Sequence, residues 1–296
     1  MHQPVLLKEV LENLNPKPNQ NFIDGTLGEG GHSLEILKLT SPDGKLLGTD
    51  LDQRNISVAK ENLITNSISK ERLVLVQGNF KNIKQYTKEN NFKNVQGILL
   101  DLGLNSYFLD ESNRGFTFRK DEELDMRFDP DNTELTAYEI INSYKEEEIA
   151  NIFYQYGEEG FSRRIAKNIV DQRRIEKIKT TEDLAKIIQR SVPGSPMIKN
   201  KSVARVFQAL RICVNEELAS LESVIPDALE ILDNGGKLAI ISFHSLEDRI
   251  VKNLFKEYSQ TNQYTLITKK PITASREEVE NNSRSHSAKM RIIQKN

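Results

Sequence analysis

Short apolar runs alternate with amphipathic stretches over the first hundred residues. Such runs predict buried parallel strands, and apolar residues three to four apart predict helices that cover the sheet. The predicted strands are residues 22–26, 45–50, 73–77 and 97–102, and the predicted helices are 32–39, 55–66 and 82–90. The alternation returns late, with helices at 216–232 and 246–258 and strands at 237–242, 264–268 and 288–294. The pattern indicates an α/β fold, and Gly235-Gly236 is expected to end the helix that precedes residue 237.

The middle of the chain has a different pattern. From residue 110 to residue 215 the apolar residues follow helical spacing, and we find no convincing strand. One predicted helix has three apolar residues on one face and three cations on the other: Phe161, Ile165 and Ile169, then Arg163, Arg164 and Lys167. We therefore expect an all-helical domain at 110–215, inserted into an α/β domain built from 1–109 and 216–296.

Charge changes this picture only when it is resolved along the chain. The 296 residues carry 41 Lys and Arg against 43 Asp and Glu, a formal net charge of -2, so the whole chain lacks a basic footprint for nucleic acid. The insert, however, has an acidic half, with 15 acidic and 5 basic residues at 110–159. Its other half, 162–211, has 13 basic and 4 acidic residues. The basic half is either a set of solvated helix faces or a surface for nucleic acid.

Export, membrane and metal functions find little support. No basic segment followed by an apolar one opens the chain, and no apolar run approaches the roughly twenty residues of a spanning helix. A single cysteine excludes an internal disulfide and a multi-cysteine zinc site. The four histidines lack ligand spacing, so no metal is expected. We expect a cytoplasmic protein with no membrane association.

A glycine-rich loop, DGTLGEGGHS at 24–33, lies between the first predicted strand and helix. Glycines there let a ligand approach bare backbone at a helix N-terminus, but Ser33 stands where a dinucleotide fingerprint has its third glycine. Asp50, Phe80 and Asp101 follow at the ends of the next three strands, at the edge where α/β sheets bind ligands. Together they predict an adenosine ligand without a pyrophosphate, namely S-adenosylmethionine (SAM). The alternatives are that Phe80 is ordinary core and that Asp101 caps a helix.

The residues after the fourth strand could hold a methyl acceptor. Asn105, Ser106, Tyr107 and Phe108 place polar groups before aromatic rings. An exocyclic amine of a base must be held by polar acceptors and taken out of its stack before it can be methylated. The segment loosely resembles the [DNS]-P-P-[YFW] signature of amino-methyltransferases, without its prolines.

A second polar cluster, SFHSLEDR at 242–249, follows the fifth predicted strand. Its position puts Phe243 and His244 near the transferred methyl group, although Ser245 and Asp248 also have the spacing of a helix cap. Cys213 lies in an apolar helical stretch and is expected to be inert, which disfavours covalent attack on C5 of a pyrimidine.

Seven segments resemble, in order, the motifs of one protein family. They are DGTLGEGGHS (24–33), GILLDLG (97–103), RGFTF (114–118), LDMR (124–127), YGEE (156–159), FQALRI (207–212) and ISFHSLEDRIVK (241–252). The sequence is similar over nearly its whole length to the bacterial 16S rRNA cytosine-N4 methyltransferases called RsmH, formerly MraW. PVLL at 4–7 and SAKMR at 287–291 also fit.

The resemblance implies a Rossmann-like class I SAM-dependent methyltransferase domain with an inserted helical domain that recognises rRNA. It implies methylation of N4 of a specific cytosine in the decoding region (P site) of 16S rRNA in the 30S subunit, which tunes decoding fidelity and releases S-adenosylhomocysteine. The cofactor positions of the family fall on Gly30, Gly31, His32, Asp50, Phe80, Asp101 and Phe108. We expect Asp101, with Asn105 or Ser106, to accept hydrogen bonds from the amine, and His244 to confine the base.

The chain departs from the family at several positions. A hydrogen-bonding Gln of the family is Phe108 here, at the end of Asn105-Ser106-Tyr107-Phe108, where the family has Ser-Ser-Pro-Gln. Glu122-Glu123 replaces Gly-Pro, and Ser283 and His286 replace Pro and Arg. These changes leave open a non-catalytic RNA-binding or ribosome-assembly factor with the same fold. A third hypothesis, an NAD-dependent oxidoreductase, is disfavoured by Ser33.

Overall fold

The computed structural model describes residues 4–104, 108 and 111–296. The helices are α1 (Leu7–Leu14), α2 (Gly31–Leu39), α3 (Gln53–Thr65), α4 (Ile83–Glu89), α5 (Ala137–Ser143), α6 (Glu146–Gly157), α7 (Ser162–Ile175), α8 (Thr181–Ser191), α9 (Pro196–Asn215), α10 (Glu217–Ile231), α11 (Ser245–Tyr258) and α12 (Arg276–Asn281). The strands are β1 (Asn21–Asp24), β2 (Leu46–Asp50), β3 (Leu73–Gln77), β4 (Val95–Asp101), β5 (Leu232–Ser242), β6 (Tyr264–Leu266), β7 (Ile272–Thr273) and β8 (Lys289–Lys295).

The eight strands found in the described residues form one sheet, in the order β3-β2-β1-β4-β5-β8-β6, with β7 paired to β8. The first five strands run parallel to one another, and β8 runs antiparallel to β5. Asp24 lies opposite both Gly48 and Leu99 in the register, so the carboxyl ends of the central strands reach one edge together. The α/β class predicted from the sequence is confirmed.

Adjacent residues of the central strands enter two different cores. Phe22 and Leu46 pack in one apolar cluster, whereas Ile23 and Leu47 pack in the other. Side chains of a strand alternate between the two faces of a sheet, so continuous apolar runs supply both cores at once. This is the physical reason that these runs lack polar alternation in the sequence.

Contacts divide the chain into two compact units, Met1–Gly103 with Leu218–Asn296, and Leu104–Glu217. Among the described residues of the second unit, helices α5 to α9 are joined by irregular segments, and an isolated bridge pairs Glu123 with Thr180. Ile165 and Ile169 of α7 are fully buried there. Phe161, expected on the same buried face, is instead 39% exposed, because it precedes the first turn of the helix.

Two arginines of the second unit, one in the RGFTF segment and one in the LDMR segment, make structural hydrogen bonds. The Arg127 guanidinium makes two hydrogen bonds to the Asp125 carboxylate, at 2.7 and 3.0 Å, and donates to the Thr133 carbonyl at 2.9 Å. Arg114 donates to the carbonyl oxygens of Arg127 and Phe128. These bonds hold an irregular loop whose backbone acceptors have no helix or sheet partner.

The prediction that Gly235-Gly236 ends a helix was wrong. Helix α10 ends at Ile231, and β5 begins at the next residue, so both glycines lie inside the strand. Gly235 has a φ of +81°, and the pairing of β4 with β5 shifts register between Val95 and Gly97. A strand bulge and a helix cap require the same left-handed glycine, and the sequence alone does not distinguish them.

Candidate functional site

The glycine-rich loop joins β1 to α2 by two left-handed residues, Gly28 (φ +50°) and Gly30 (φ +80°). A Cβ on Gly30 would lie 3.3 Å from the Cβ of Ala59 in α3, and one on Gly31 would lie 2.6 Å from Cγ of Pro4. A side chain is therefore disfavoured at Gly30 by the backbone conformation and at Gly31 by overlap with Pro4. The loop keeps bare backbone at the start of a helix, where N–H groups have no intrahelical partner.

Asp24, the last residue of β1, holds this loop by hydrogen bonds. The sequence patterns do not single it out. Its carboxylate accepts a hydrogen bond from the Ser33 hydroxyl at 2.6 Å and one from the Thr26 N–H at 3.2 Å. Burial raises the pKa of Asp24 against the effect of these bonds. Ser33, noted only as a departure from a dinucleotide fingerprint, therefore has its own task. The signal that could have revealed it is a polar residue at the end of an otherwise apolar strand.

Asp50 connects the end of β2 to the same loop. Its Oδ2 accepts the Gly28 N–H at 2.9 Å, and its Oδ1 accepts the Asp52 N–H at 2.9 Å and the Asn55 amide at 3.0 Å. Burial raises the pKa of Asp50 to about 6, although all three hydrogen bonds favour the charged form. Three hydrogen bonds therefore fix the orientation of the Asp50 carboxylate, while desolvation disfavours its charged form.

Asp101 is the last residue of β4 and lies beside His32, which is in the first turn of α2. Oδ2 of Asp101 lies 3.8 Å from Nδ1 of His32, and Oδ1 accepts the Gly103 N–H at 3.2 Å. Burial raises the pKa of Asp101, and the nearby imidazole opposes that rise. Nε2 of His32 lies 2.9 Å from the Val5 carbonyl oxygen. Because a carbonyl only accepts, the hydrogen bond to Val5 requires a proton on Nε2, and the other ring nitrogen, Nδ1, faces Asp101.

Two aromatic side chains lie at this edge of the sheet. Phe80 is partly buried, and its Cβ would be 3.2 Å from a Cβ placed on Gly25 of the loop. The Phe243 ring would be 3.1 Å from a Cβ on Gly103, which would also be 3.2 Å from Oδ1 of Asp101. Gly103 thus allows the ring to lie close to the end of β4.

His244 is the N-cap of α11 in the structure. Its Nδ1 accepts the Glu247 N–H at 3.4 Å, and its Nε2 lies 3.1 Å from Oε1 of Glu247. Glu247 in turn accepts the backbone N–H groups of Phe243 and His244. The cap is therefore one residue earlier than the spacing of Ser245 and Asp248 suggested. Asp248 instead binds Arg291, with Nε 2.6 Å from Oδ1.

The structure brings most of the predicted cofactor residues to one edge of the sheet: Gly30, Gly31, His32, Asp50, Phe80 and Asp101. Asn105, Ser106 and Tyr107, predicted to contact the acceptor base, lie outside the described residues. Phe108 is 6% exposed, and its ring centroid is 5.0 Å from that of Phe116 and 4.9 Å from that of Phe128, in the core of the second unit. The contact of Phe108 with the cofactor stays a prediction.

Within the part of the chain that the structure describes, no helix has the length and apolar character needed to cross a bilayer.

Comparisons with known proteins agree with this geometry. The model of the MraW methylase family matches residues 1–296. Ribosomal RNA small subunit methyltransferase H of Clostridium botulinum (strain Loch Maree / Type A3) is 45% identical, over 99% of this chain and 98% of that protein. The protein of the same name from Heliobacterium mobile is 44% identical over the same shares. Among solved structures, that of PH0851 is similar in fold, with a TM-score of 0.51 and 11% identity over 100% of this chain and 47% of that chain. The chain belongs to the MraW methylase family.

Proposed function

We propose that this protein transfers the methyl group of SAM to N4 of a cytosine in the decoding region of 16S rRNA, within the 30S subunit in the cytoplasm. The observation that carries the proposal is the pair of partly buried acids, Asp50 and Asp101, around a glycine loop at the carboxyl edge of a parallel sheet. The family and the names of its members, small subunit rRNA methyltransferases, support the substrate class.

The residues at this edge fit SAM. A carboxylate offers about four acceptor positions. Asp50 uses three of them on Gly28, Asp52 and Asn55, which leaves capacity for a ribose hydroxyl. The half-buried ring of Phe80 suits an adenine, and the bare backbone at Gly30 and Gly31 suits the methionine end.

When bound, SAM supplies an electrophilic methyl group on a sulfonium. Asp101 accepts a hydrogen bond from the N4 amine, and Asn105 or Ser106 accepts the second one. These acceptors favour a tetrahedral nitrogen, whose lone pair is no longer delocalised into the ring. Because burial raises the pKa of Asp101, its carboxylate is also a stronger base for the proton that the nitrogen loses. Phe243 holds the unstacked base beside Asp101.

The reaction needs no covalent intermediate on the enzyme. Cys213 belongs to the second unit, Leu104–Glu217, which we call the helical unit. Burial raises the pKa of its thiol, so the nucleophilic thiolate is disfavoured. Orientation of the amine and electrostatic stabilisation supply most of the acceleration, because the methyl donor is already activated.

The helical unit would bind rRNA through α7 and its neighbours. Arg163, Arg164 and Lys167 are exposed on the face of α7 opposite the buried Ile165 and Ile169. Exposed cations on one helix face can replace the counterions of RNA phosphates, which makes binding depend steeply on salt.

Product analysis tests the reaction. The purified protein is mixed with labelled SAM and 30S subunits that lack the modification, and the rRNA is digested to nucleosides. We expect label in N4-methylcytidine. Label in another nucleoside, or in another RNA, would retain the enzyme class and overturn this substrate. Calorimetry that detects no SAM binding would instead favour the alternative of a non-catalytic RNA-binding or ribosome-assembly factor.

Charge reversal tests the RNA surface. The triple variant Arg163→Glu, Arg164→Glu and Lys167→Glu should bind 30S subunits more weakly. Its binding should depend less on salt concentration, while SAM binding stays unchanged. A matched control reverses three exposed lysines of the other unit, Lys70, Lys88 and Lys93. Equal loss in both triple variants would mean that only total charge matters, and unchanged affinity in the first would make α7 a merely solvated face.

A further inference from the structure

The segment just before α1 lies directly against the candidate cofactor loop. Pro4 packs on Gly31 so closely that any Cβ there would be 2.6 Å from Cγ of Pro4. The Val5 carbonyl oxygen accepts the hydrogen bond from Nε2 of His32 at 2.9 Å. Val5 is 6% exposed and Leu6 is fully buried. The segment is therefore part of the wall that surrounds His32.

A residue near the other end of the chain holds this segment in place. Oε1 of Glu278, in α12, accepts the backbone N–H of Leu6 at 2.7 Å, across 272 positions of sequence. Leu6 has a φ of +54°, a left-handed conformation that a bulky residue adopts only when its surroundings impose it. Its N–H precedes the first turn of α1, where backbone donors have no intrahelical acceptor. The Glu278 carboxylate supplies that acceptor.

Two hydrogen bonds and one longer approach lead from α12 to the end of β4. Glu278 holds Leu6, the adjoining Val5 carbonyl holds Nε2 of His32, and Nδ1 of His32 then faces Oδ2 of Asp101 at 3.8 Å. That separation exceeds a hydrogen bond. When the only proton of the imidazole is on Nε2, Nδ1 and the Asp101 carboxylate are two acceptors that face each other, and an N–H donor placed between them can bind both. The tautomer of His32 therefore decides whether such a donor meets one acceptor or two.

We propose that Glu278 is a positioning residue of the methyltransferase site, acting through the segment Pro4–Leu6 to hold His32 in the Nε2–H tautomer with Nδ1 towards Asp101. The effect on SAM binding rests on the function proposed above, whereas the effect on His32 does not. Glu278 itself lies outside the reacting groups, so its role is to fix geometry.

Nitrogen-15 NMR of the imidazoles tests the tautomer directly, because the chain has only four histidines. In the wild type, His32 should show the Nε2–H form. Glu278→Ala should give a mixture of tautomers, and SAM affinity measured by calorimetry should fall about tenfold. Glu278→Gln keeps an acceptor for the Leu6 N–H, so it should restore both readouts. Glu277→Ala, which removes an exposed acid from the same helix, is the matched control.

Glu278→Asp shortens the side chain by one methylene and keeps its charge, and it replaces the alanine variant if that protein does not fold. It should show the same two defects to a smaller extent. A wild-type His32 tautomer and SAM affinity in folded Glu278→Ala or Glu278→Asp would overturn the proposal. A wild type that binds no SAM would refute the proposed function, while the NMR comparison would still decide whether Glu278 positions His32.

Discussion

Partly buried aspartates have opposite surroundings in the two units of the molecule. At the sheet edge, burial raises the pKa of Asp50 and Asp101, whose neighbours are backbone N–H groups, an amide and an imidazole. In the helical unit, burial would also raise the pKa of Asp125, but the hydrogen bonds and charge of Arg127 outweigh it and lower that pKa. The Arg127 cation therefore compensates the charge of Asp125 within the fold, whereas the ligand role proposed for Asp50 and Asp101 requires their charges to stay available.

The direction of the pKa shift depends on the neighbours of each aspartate and not on the unit that contains it. Asp248 of the first unit binds Arg291 and Lys289, and these cations lower its pKa despite partial burial. A paired acid near the sheet thus behaves like Asp125. What distinguishes Asp50 and Asp101 is that their surroundings aim the carboxylate without neutralising it, which is how functional carboxylates are commonly built.

The largest effect should come from Asp101→Asn. The amide keeps the shape of the side chain but is a poor base, so methyl transfer in single-turnover assays should fall on the order of 10² to 10³-fold. The free energy of unfolding should stay level or rise, because a partly desolvated charge is removed. The paired acid provides the contrast, since Asp125→Asn should lower stability and leave the rate of transfer unchanged. Full activity of Asp101→Asn would remove Asp101 from the mechanism.

Arg127→Ala should have the largest effect on stability. It leaves the Asp125 carboxylate without its cation and removes the donor to the Thr133 carbonyl. Both partners are only about one-fifth exposed, so we expect the free energy of unfolding to fall by about 2 kcal/mol, less than for a fully buried pair. Chemical denaturation measures the change. Arg174→Ala, which breaks an exposed pair with Asp171, should be nearly neutral.

The sequence predicted the sheet edge better than the contacts behind it. Apolar runs, the glycine loop and the acids at the strand ends are local signals, and they predict the position of Asp50 and Asp101 at the edge. The bond from Leu6 to Glu278 joins residues 272 positions apart, and no local pattern reveals such a pair. The role of His244 in confining the base stays a prediction, and its capping of α11 could not be predicted because it depends on a one-residue difference in where that helix begins.

Acidification should distinguish Asp50 from a paired acid. Since its pKa is raised to about 6, the carboxylate takes up a proton as the pH falls through 6 and loses acceptor capacity for a ribose hydroxyl. SAM affinity should therefore drop about tenfold between pH 7 and pH 5, measured by calorimetry. Asp50→Asn should bind weakly and lose this component of the pH dependence. An identical pH profile in the variant would mean that another group titrates.

The same pKa has the opposite consequence for folding. The folded state binds the Asp50 proton more tightly than the unfolded chain does, so this group favours the folded state below about pH 4 and loses that contribution as the pH rises to 6. Binding and stability should thus respond to pH in opposite directions at Asp50. At Asp125, whose pKa is lowered, stability should instead fall on acidification.

The smallest effect should come from Cys213→Ala in the helical unit. Burial raises the pKa of the thiol, with a further contribution from Glu216, so little thiolate is available at neutral pH. Methyl transfer should stay within about twofold of the wild type, and the free energy of unfolding should fall by no more than about 1 kcal/mol, the cost of one small side chain. A large loss of activity at unchanged stability would place a reacting group in the helical unit. The distinction between a unit whose polar residues maintain the fold and an edge whose acids serve the reaction would then no longer hold.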